Sequence, residues 1–272
     1  MFINVNDVNY YVKVIGHGEP LLLLHGFTGS LETWDPFVEE WSRSFTLILV
    51  DIIGHGRTDH PEDFRRYDIE KVACDLKGIL QHLEITKTSV LGYSMGGRLA
   101  LSFSILYPEH VLSLILESSS PGLEKEVERL TRSENDNLLA NQIEREGIRA
   151  FVDYWGKIPL FSTQEKKLSE EEKQAIRAQR LQNSSVGLAG SLRGMGTGVQ
   201  PSWWDKLSEV RKPVLLLAGE LDEKFCHINQ EMHKRLPNSK IFIINDAGHA
   251  IHVEQRELFG KIVRDYLCGI FK

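Results

Sequence analysis

Gly92-Tyr93-Ser94-Met95-Gly96, followed by Gly97, joins the apolar run Thr88-Ser89-Val90-Leu91 to a helical stretch from Arg98 to Tyr107. A chain that passes sharply from strand to helix forces the residue at the turn into strained backbone angles, and glycine on both sides avoids the collision there. The serine hydroxyl is held clear of the sheet as a result. The motif alone occurs by chance in many chains, but between a β-type run and a helix it is a strong signal for a nucleophile elbow. The competing reading is an ordinary glycine-rich turn.

An activated serine needs a base and a group that orients the base, expected here in the chain order Ser, acid, His. Pro213-Val214-Leu215-Leu216-Leu217-Ala218-Gly219 reads as a buried strand, and Glu220-Leu221-Asp222 follows at its C-terminal end, where catalytic groups sit in open α/β sheets. Asp222 is the candidate orienter, and Glu220 reads as a solvated loop carboxylate. The strand Lys240-Ile241-Phe242-Ile243-Ile244 then ends in Asn245-Asp246-Ala247-Gly248-His249, which makes His249 the candidate base. His252 is expected to face the closing helix.

An oxyanion hole requires backbone N–H groups near the serine. Leu21-Leu22-Leu23-Leu24-His25-Gly26-Phe27 reads as a buried strand running into a His-Gly turn, and the Phe27 amide is assigned as one donor. The second is Met95, just after the nucleophile, whose amide also lies at the positive end of a helix. His25 reads as a structural histidine bonded within its own loop.

The 272 residues can bury a large core, and α/β folds of this size commonly form one domain. The N-terminal residues Met1-Phe2-Ile3-Asn4-Val5-Asn6-Asp7 lack a basic start and an apolar h-region, so no signal peptide is expected. No apolar run approaches a membrane span. Cys74, Cys226 and Cys268 are odd in number and far apart, which argues against a disulfide framework and fits a reducing cytoplasm. A net charge of −6 without a Lys/Arg block argues against nucleic acid. The ten histidines show neither His-x-His nor His-Glu-x-x-His spacing, so no metal is expected.

Along the chain, strand and helix signals alternate with one interruption. Phe2 to Val5 and Tyr10 to Ile15 read as a hairpin, followed by a strand at Leu21, a helix from Leu31 to Arg43 and a strand from Thr46 to Asp51. Asp68 caps a helix running to Leu83, Pro108 ends the elbow helix, and Val111 to Glu117 is the next strand. From Ser118 to Ser208 the pattern turns polar and helical, with helices expected at Glu124 to Gly147, Ile148 to Trp155 and Ser169 to Asn183. This interruption reads as a helical cap over residues 121–208, inserted into an α/β core made of residues 1–120 and 209–272.

Arginine placement separates this chain from a general esterase. Arg98 lies one turn beyond Ser94, so its side chain is positioned for the floor of the site. A guanidinium there is costly unless an anion meets it. The alternative is a structural ion pair with a sheet-end carboxylate such as Glu117. Arg129, Arg132, Arg145 and Arg149, taken singly, read as solvated helix positions.

Gly-Tyr-Ser-Met-Gly-Gly-Arg at 92 to 98, Pro-Gly-Leu at 121 to 123 with Arg132 beyond, Trp155 with Pro159-Leu160-Phe161, Arg180, Val-Gln-Pro at 199 to 201 and Gly-Glu-Leu-Asp-Glu-Lys-Phe at 219 to 225 together resemble one family. It is 2-succinyl-6-hydroxy-2,4-cyclohexadiene-1-carboxylate synthase, the menaquinone-pathway lyase of the α/β-hydrolase superfamily. The resemblance spans essentially the whole chain. It implies an α/β-hydrolase fold, a mostly parallel sheet with helices on both faces and a helical cap. It also implies Ser94, Asp222 and His249 as a triad, with Tyr93, Arg98, Arg132, Trp155, Phe161 and Arg180 as substrate contacts. At Trp155, a one-residue shift would substitute Tyr154, and core packing equally explains Phe161.

The resemblance further implies a small-molecule partner, a substrate with three carboxylates that three arginines could match, and pyruvate elimination without cofactor or metal. Two rival readings use the same motif. One is a serine hydrolase of esters or carbon–carbon bonds, acting through a covalent intermediate. The other is a ligand-binding protein that kept the fold without its chemistry.

Overall fold

In the computed structural model, which describes residues 1–270, eight strands form one sheet in the order β1-β2-β4-β3-β5-β6-β7-β8. Their ranges are β1 Phe2–Val5, β2 Val8–Gly16, β3 Glu19–Leu24, β4 Phe45–Val50, β5 Thr88–Tyr93, β6 Val111–Glu117, β7 Val214–Gly219 and β8 Ser239–Ile244. β1 pairs with β2, and β2 with β4, in antiparallel fashion; all later pairings are parallel. The apolar runs of β3, β4, β5 and β7 are buried on both sides, as expected of parallel strands covered by helices on each face.

One face carries α2 (Ile69–His82) and α3 (Met95–Leu106), whose Leu76, Ile79, Leu99 and Phe103 pack with Val90 and Leu114 from the sheet. The other face carries α1 (Asp35–Trp41), which packs with Leu21, Leu23 and Leu215 of the sheet and with Phe259 and Val263 near the C-terminus. Asp68 does cap α2, accepting from the amides of Glu70 and Lys71. The single helix expected over Leu31 to Arg43 is instead a 3-10 turn, Leu31–Trp34, and then α1 with Pro36 at its start.

Between β6 and β7 the chain forms four helices, α4 (Glu126–Trp155), α5 (Ser162–Lys167), α6 (Glu170–Arg180) and α7 (Ser185–Met195). The helix break expected at Gly147 is present as a residue at φ 80° inside α4. Ala140, Ile143, Phe151 and Val152 of α4 join Leu188, Ala189 and Leu192 of α7 in a small core of their own, against which Phe27 and Trp155 pack. Sequence reading missed α7, whose glycines suggest a loop. They serve close approach: a Cβ at Gly187 would collide with the Gly54 carbonyl, so α7 lies directly on the loop after β4. After β7 come α8 (Glu223–Arg235), α9 (Ile251–Glu254) and α10 (Arg256–Ile270). Among the described residues no helix is long and apolar enough to cross a membrane.

Candidate active site

Ser94 sits between β5 and α3 at φ 50° and ψ −105°, a region that an L-residue occupies only when its surroundings enforce it. Two features do so here. The Ser94 amide donates to the Glu117 carbonyl on β6 at 2.8 Å. A Cβ at Gly96 would overlap the Leu24 carbonyl oxygen, so glycine lets the first turn of α3 rest on the end of β3.

His249 lies on the loop after β8 and is buried, with 2% exposure. Its Nε2 is 3.0 Å from Ser94 Oγ, and its Nδ1 is 2.6 Å from Asp222 Oδ2. The carboxylate can accept only, so Nδ1 carries the proton and Nε2 is left free to accept from the serine. Asp222 is fixed by its position as the N-cap of α8, where Oδ1 accepts from the Phe225 amide. The Phe225 ring, 4.8 Å from the imidazole, covers it on one side, and the Tyr93 ring lies 5.4 Å away. The three residues thus form a continuous hydrogen-bonded relay. Glu220 is exposed and accepts from the Asp246 amide instead.

The turn that carries Phe27 packs against the elbow, because a Cβ at Gly26 would lie 2.6 Å from the Tyr93 ring. Met95 is the first residue of α3, so its amide has no acceptor within the helix. His25 is buried and neutral: Nδ1 donates to the Gly26 carbonyl, Nε2 accepts from the Ile52 amide, and burial pushes its pKa down to about 4. It is a brace for the turn, as its residue context indicated.

A cavity of about 350 Å³ opens next to the elbow, between α6 and the Gly26–Thr33 turn; Phe27, Tyr93, Phe161, Arg180 and His252 are among its walls, whereas Ser94, Asp222 and His249 are not. Arg180 stacks over the Phe161 ring at 4.8 Å, and among the described residues its guanidinium meets no carboxylate. Burial lowers its pKa, with the Tyr93 phenol acting in the opposite sense. Desolvation likewise holds the Tyr93 phenol well above its ordinary range. Trp155 packs edge-on to Phe27 at 5.3 Å and to Phe161 at 6.2 Å, and its buried Nε1 has no partner among the described residues. Tyr154 points outward and is 49% exposed, whereas Trp155 packs inward against Phe27 and Phe161, two of the cavity's walls.

Arg98 and Arg132 are placed differently from Arg180. Arg98 donates to the Met195 carbonyl at 2.8 Å and to Gln200 Oε1, and burial together with nearby Arg132 pushes its pKa down to about 10. The ion pair considered between Arg98 and Glu117 does not form, because the Glu117 carboxylate is occupied by His252. Arg132 is not a free solvated cation either; it pairs with Asp136 at 2.8 Å, four residues on along α4. These two arginines therefore share one carboxylate neighbourhood apart from the cavity walls. Sequence reading singled out Gln200 only within the Val-Gln-Pro stretch at 199 to 201, without a role, and missed Asp136. Asp136, one turn beyond Arg132, was the available signal. Among the described residues no cluster of three or more His, Cys, Asp or Glu could hold a metal ion.

A strained serine at a strand–helix elbow, joined to His249 and Asp222 from the ends of later strands, defines an α/β hydrolase, and the chain belongs to the alpha/beta hydrolase fold family, which it matches over residues 19–255. Within that fold its kinship is with one group of synthases. It is 51% identical over 98% of both chains to a Bacillus subtilis (strain 168) protein provisionally named 2-succinyl-6-hydroxy-2,4-cyclohexadiene-1-carboxylate synthase. A Citrobacter koseri protein named as that synthase is 31% identical, with 87% of this chain and 89% of the relative covered. The solved structure of MenH from S. aureus superposes with a TM-score of 0.91 at 35% identity, covering 97% of this chain and 99% of that one. A thermophilic esterase from Thermogutta terrifontis superposes at 0.86 with 26% identity over 97% and 95% of the chains.

Proposed function

We propose that this chain eliminates pyruvate from 2-succinyl-5-enolpyruvyl-6-hydroxy-3-cyclohexene-1-carboxylate to give 2-succinyl-6-hydroxy-2,4-cyclohexadiene-1-carboxylate, a cytoplasmic step of menaquinone biosynthesis. Kinship with the synthases supports this reading. One observation carries it from the chain's own residues: the Arg180 guanidinium faces the cavity beside Tyr93 without a carboxylate partner. A desolvated cation in that position favours an anionic ligand, and this substrate brings three carboxylates. Arg98 and Arg132 are assigned to the others, with substrate competing against Asp136 for Arg132. Tyr93, Trp155 and Phe161 wall the ring, and residues 121–208 act as the cap.

In this reading His249, held by Asp222, takes the hydroxyl proton of Ser94, and Ser94 Oγ removes the proton at ring C2, alpha to the succinyl ketone. The electron pair moves onto the ketone oxygen, which accepts hydrogen bonds from the Phe27 and Met95 amides. Collapse of that enolate makes C2=C3, shifts C3=C4 to C4=C5 and breaks the C5–O bond. The leaving enolpyruvate takes up the proton and tautomerises to pyruvate, so atoms and charge balance and no acyl-enzyme forms. Substrate carrying deuterium at C2 tests the step. In a single turnover it should form the diene more slowly than the protium substrate, and equal rates would refute removal of that proton in the rate-limiting chemical step.

The likeness to an esterase favours a second reading, ester hydrolysis by the same relay. It has no use for Arg180, and loss of that residue separates the two.

A further inference from the structure

Glu117 is fully buried at the end of β6, yet nothing in the elimination chemistry uses its carboxylate. Both oxygens lie 2.9 Å from His252 Nδ1, and Oε1 also accepts from the His252 amide at 3.0 Å. This is a second carboxylate–imidazole pair, as well shielded from water as the Asp222–His249 pair. Its main chain serves Ser94, since the Glu117 carbonyl accepts the amide that fixes the elbow. One residue therefore grips both sides of the relay, the serine turn through its backbone and the histidine loop through its side chain.

The rings around His252 extend the clamp. Its imidazole meets Tyr93 edge-on at 4.5 Å, and Trp34 at 5.3 Å and Phe259 at 6.0 Å enclose it further. Tyr93 in turn touches His249 and the Gly26 turn. A neighbouring bond, from the Gly248 amide to Glu254 Oε2 at 2.8 Å, leaves the backbone of 248–252 tied at both ends. We infer that Glu117 and His252 are positioning residues that set the reach of His249 to Ser94. The inference rests on the elimination reading only for which reaction is slowed; the geometry it concerns is that of the relay itself.

A charged fluorophosphonate probe and the elimination substrate read this out independently, because labelling of Ser94 needs the relay but not the lyase chemistry. Displacement of a catalytic group by about 1 Å costs on the order of 100-fold. Glu117→Gln and His252→Leu should therefore slow labelling and kcat together by about 10- to 100-fold, with KM changed little. His252→Asn, whose amide nitrogen replaces the Nδ1 donor, should recover most of that loss even though it packs less well against Tyr93. Thermal stability separates positioning from bulk support, since the rates should follow the donor and not Tm. Labelling at the native rate in folded His252→Leu would overturn the inference, as would an His252→Asn variant no faster than His252→Leu. If Glu117→Gln fails to fold, the two His252 variants decide alone. Native protein that labels but releases no pyruvate would sink the elimination reading while leaving the labelling comparison intact.

Discussion

His249 Nδ1 stands 2.6 Å from Asp222 Oδ2, and this contact fixes which ring nitrogen faces Ser94. With the proton held at Nδ1, the lone pair on Nε2 points at the serine oxygen 3.0 Å away. Asp222→Asn keeps the shape but turns an acceptor into a mixed donor and acceptor, so the imidazole loses its enforced tautomer. Turnover should fall by about 10²- to 10⁴-fold with KM nearly unchanged, as measured by steady-state kinetics.

Arg180 supplies a contrast between binding and folding. Among the described residues its guanidinium holds no carboxylate, so Arg180→Ala breaks no ion pair and should leave Tm at or above the native value. The lost charged contact is worth about 1.5–3 kcal/mol, so kcat/KM for the tricarboxylate should drop by about 10- to 150-fold. Hydrolysis of a neutral p-nitrophenyl ester, measured alongside, should change little.

Most of the core was legible in the sequence because parallel strands bury both faces and so read as unbroken apolar runs such as Leu21 to Leu24. The relay was legible for a related reason: Ser94, Asp222 and His249 each lie shortly beyond the C-terminal end of a strand, where catalytic groups gather in open α/β sheets. Side-chain partners across the molecule were not. Nothing local shows that Glu117 meets His252 rather than Arg98, since those contacts span 135 residues of chain. Arg132 is the exception, since its partner Asp136 lies four residues on along the same helix, a spacing the sequence displays. α7 was missed because its glycines are there for contact with Gly54 and Tyr67, a reason visible only after folding.

That last contact gives a stability prediction. Gly187→Ala places a methyl group against the Gly54 carbonyl, and Gly54 itself is held at φ 78°. Overpacking of this kind costs about 1–3 kcal/mol, and Tm should fall by about 2–4 °C for each kcal/mol. Calorimetry checks this, and an unchanged Tm would mean α7 is free to move off the loop.

The buried histidines predict acid sensitivity. Burial lowers the pKa of His25 to about 4 and that of His55 to about 3, both below the ordinary 6.5. The unfolded chain thus binds protons that the folded one refuses. Their contribution to stability is fully present above pH 6.5 and is lost as pH falls through the window down to about 4 for His25 and about 3 for His55. Urea midpoints should decline across that window, and His25→Asn should flatten the decline by the share of one proton.

Pyruvate release is the most direct measurement of the central claim. Native protein given the enolpyruvyl cyclohexene should liberate one pyruvate, read through lactate dehydrogenase, for each diene formed, and Ser94→Ala should reduce the rate to near background. Absence of pyruvate above background in native protein, or equal rates in native and Ser94→Ala, would contradict an elimination run by Ser94.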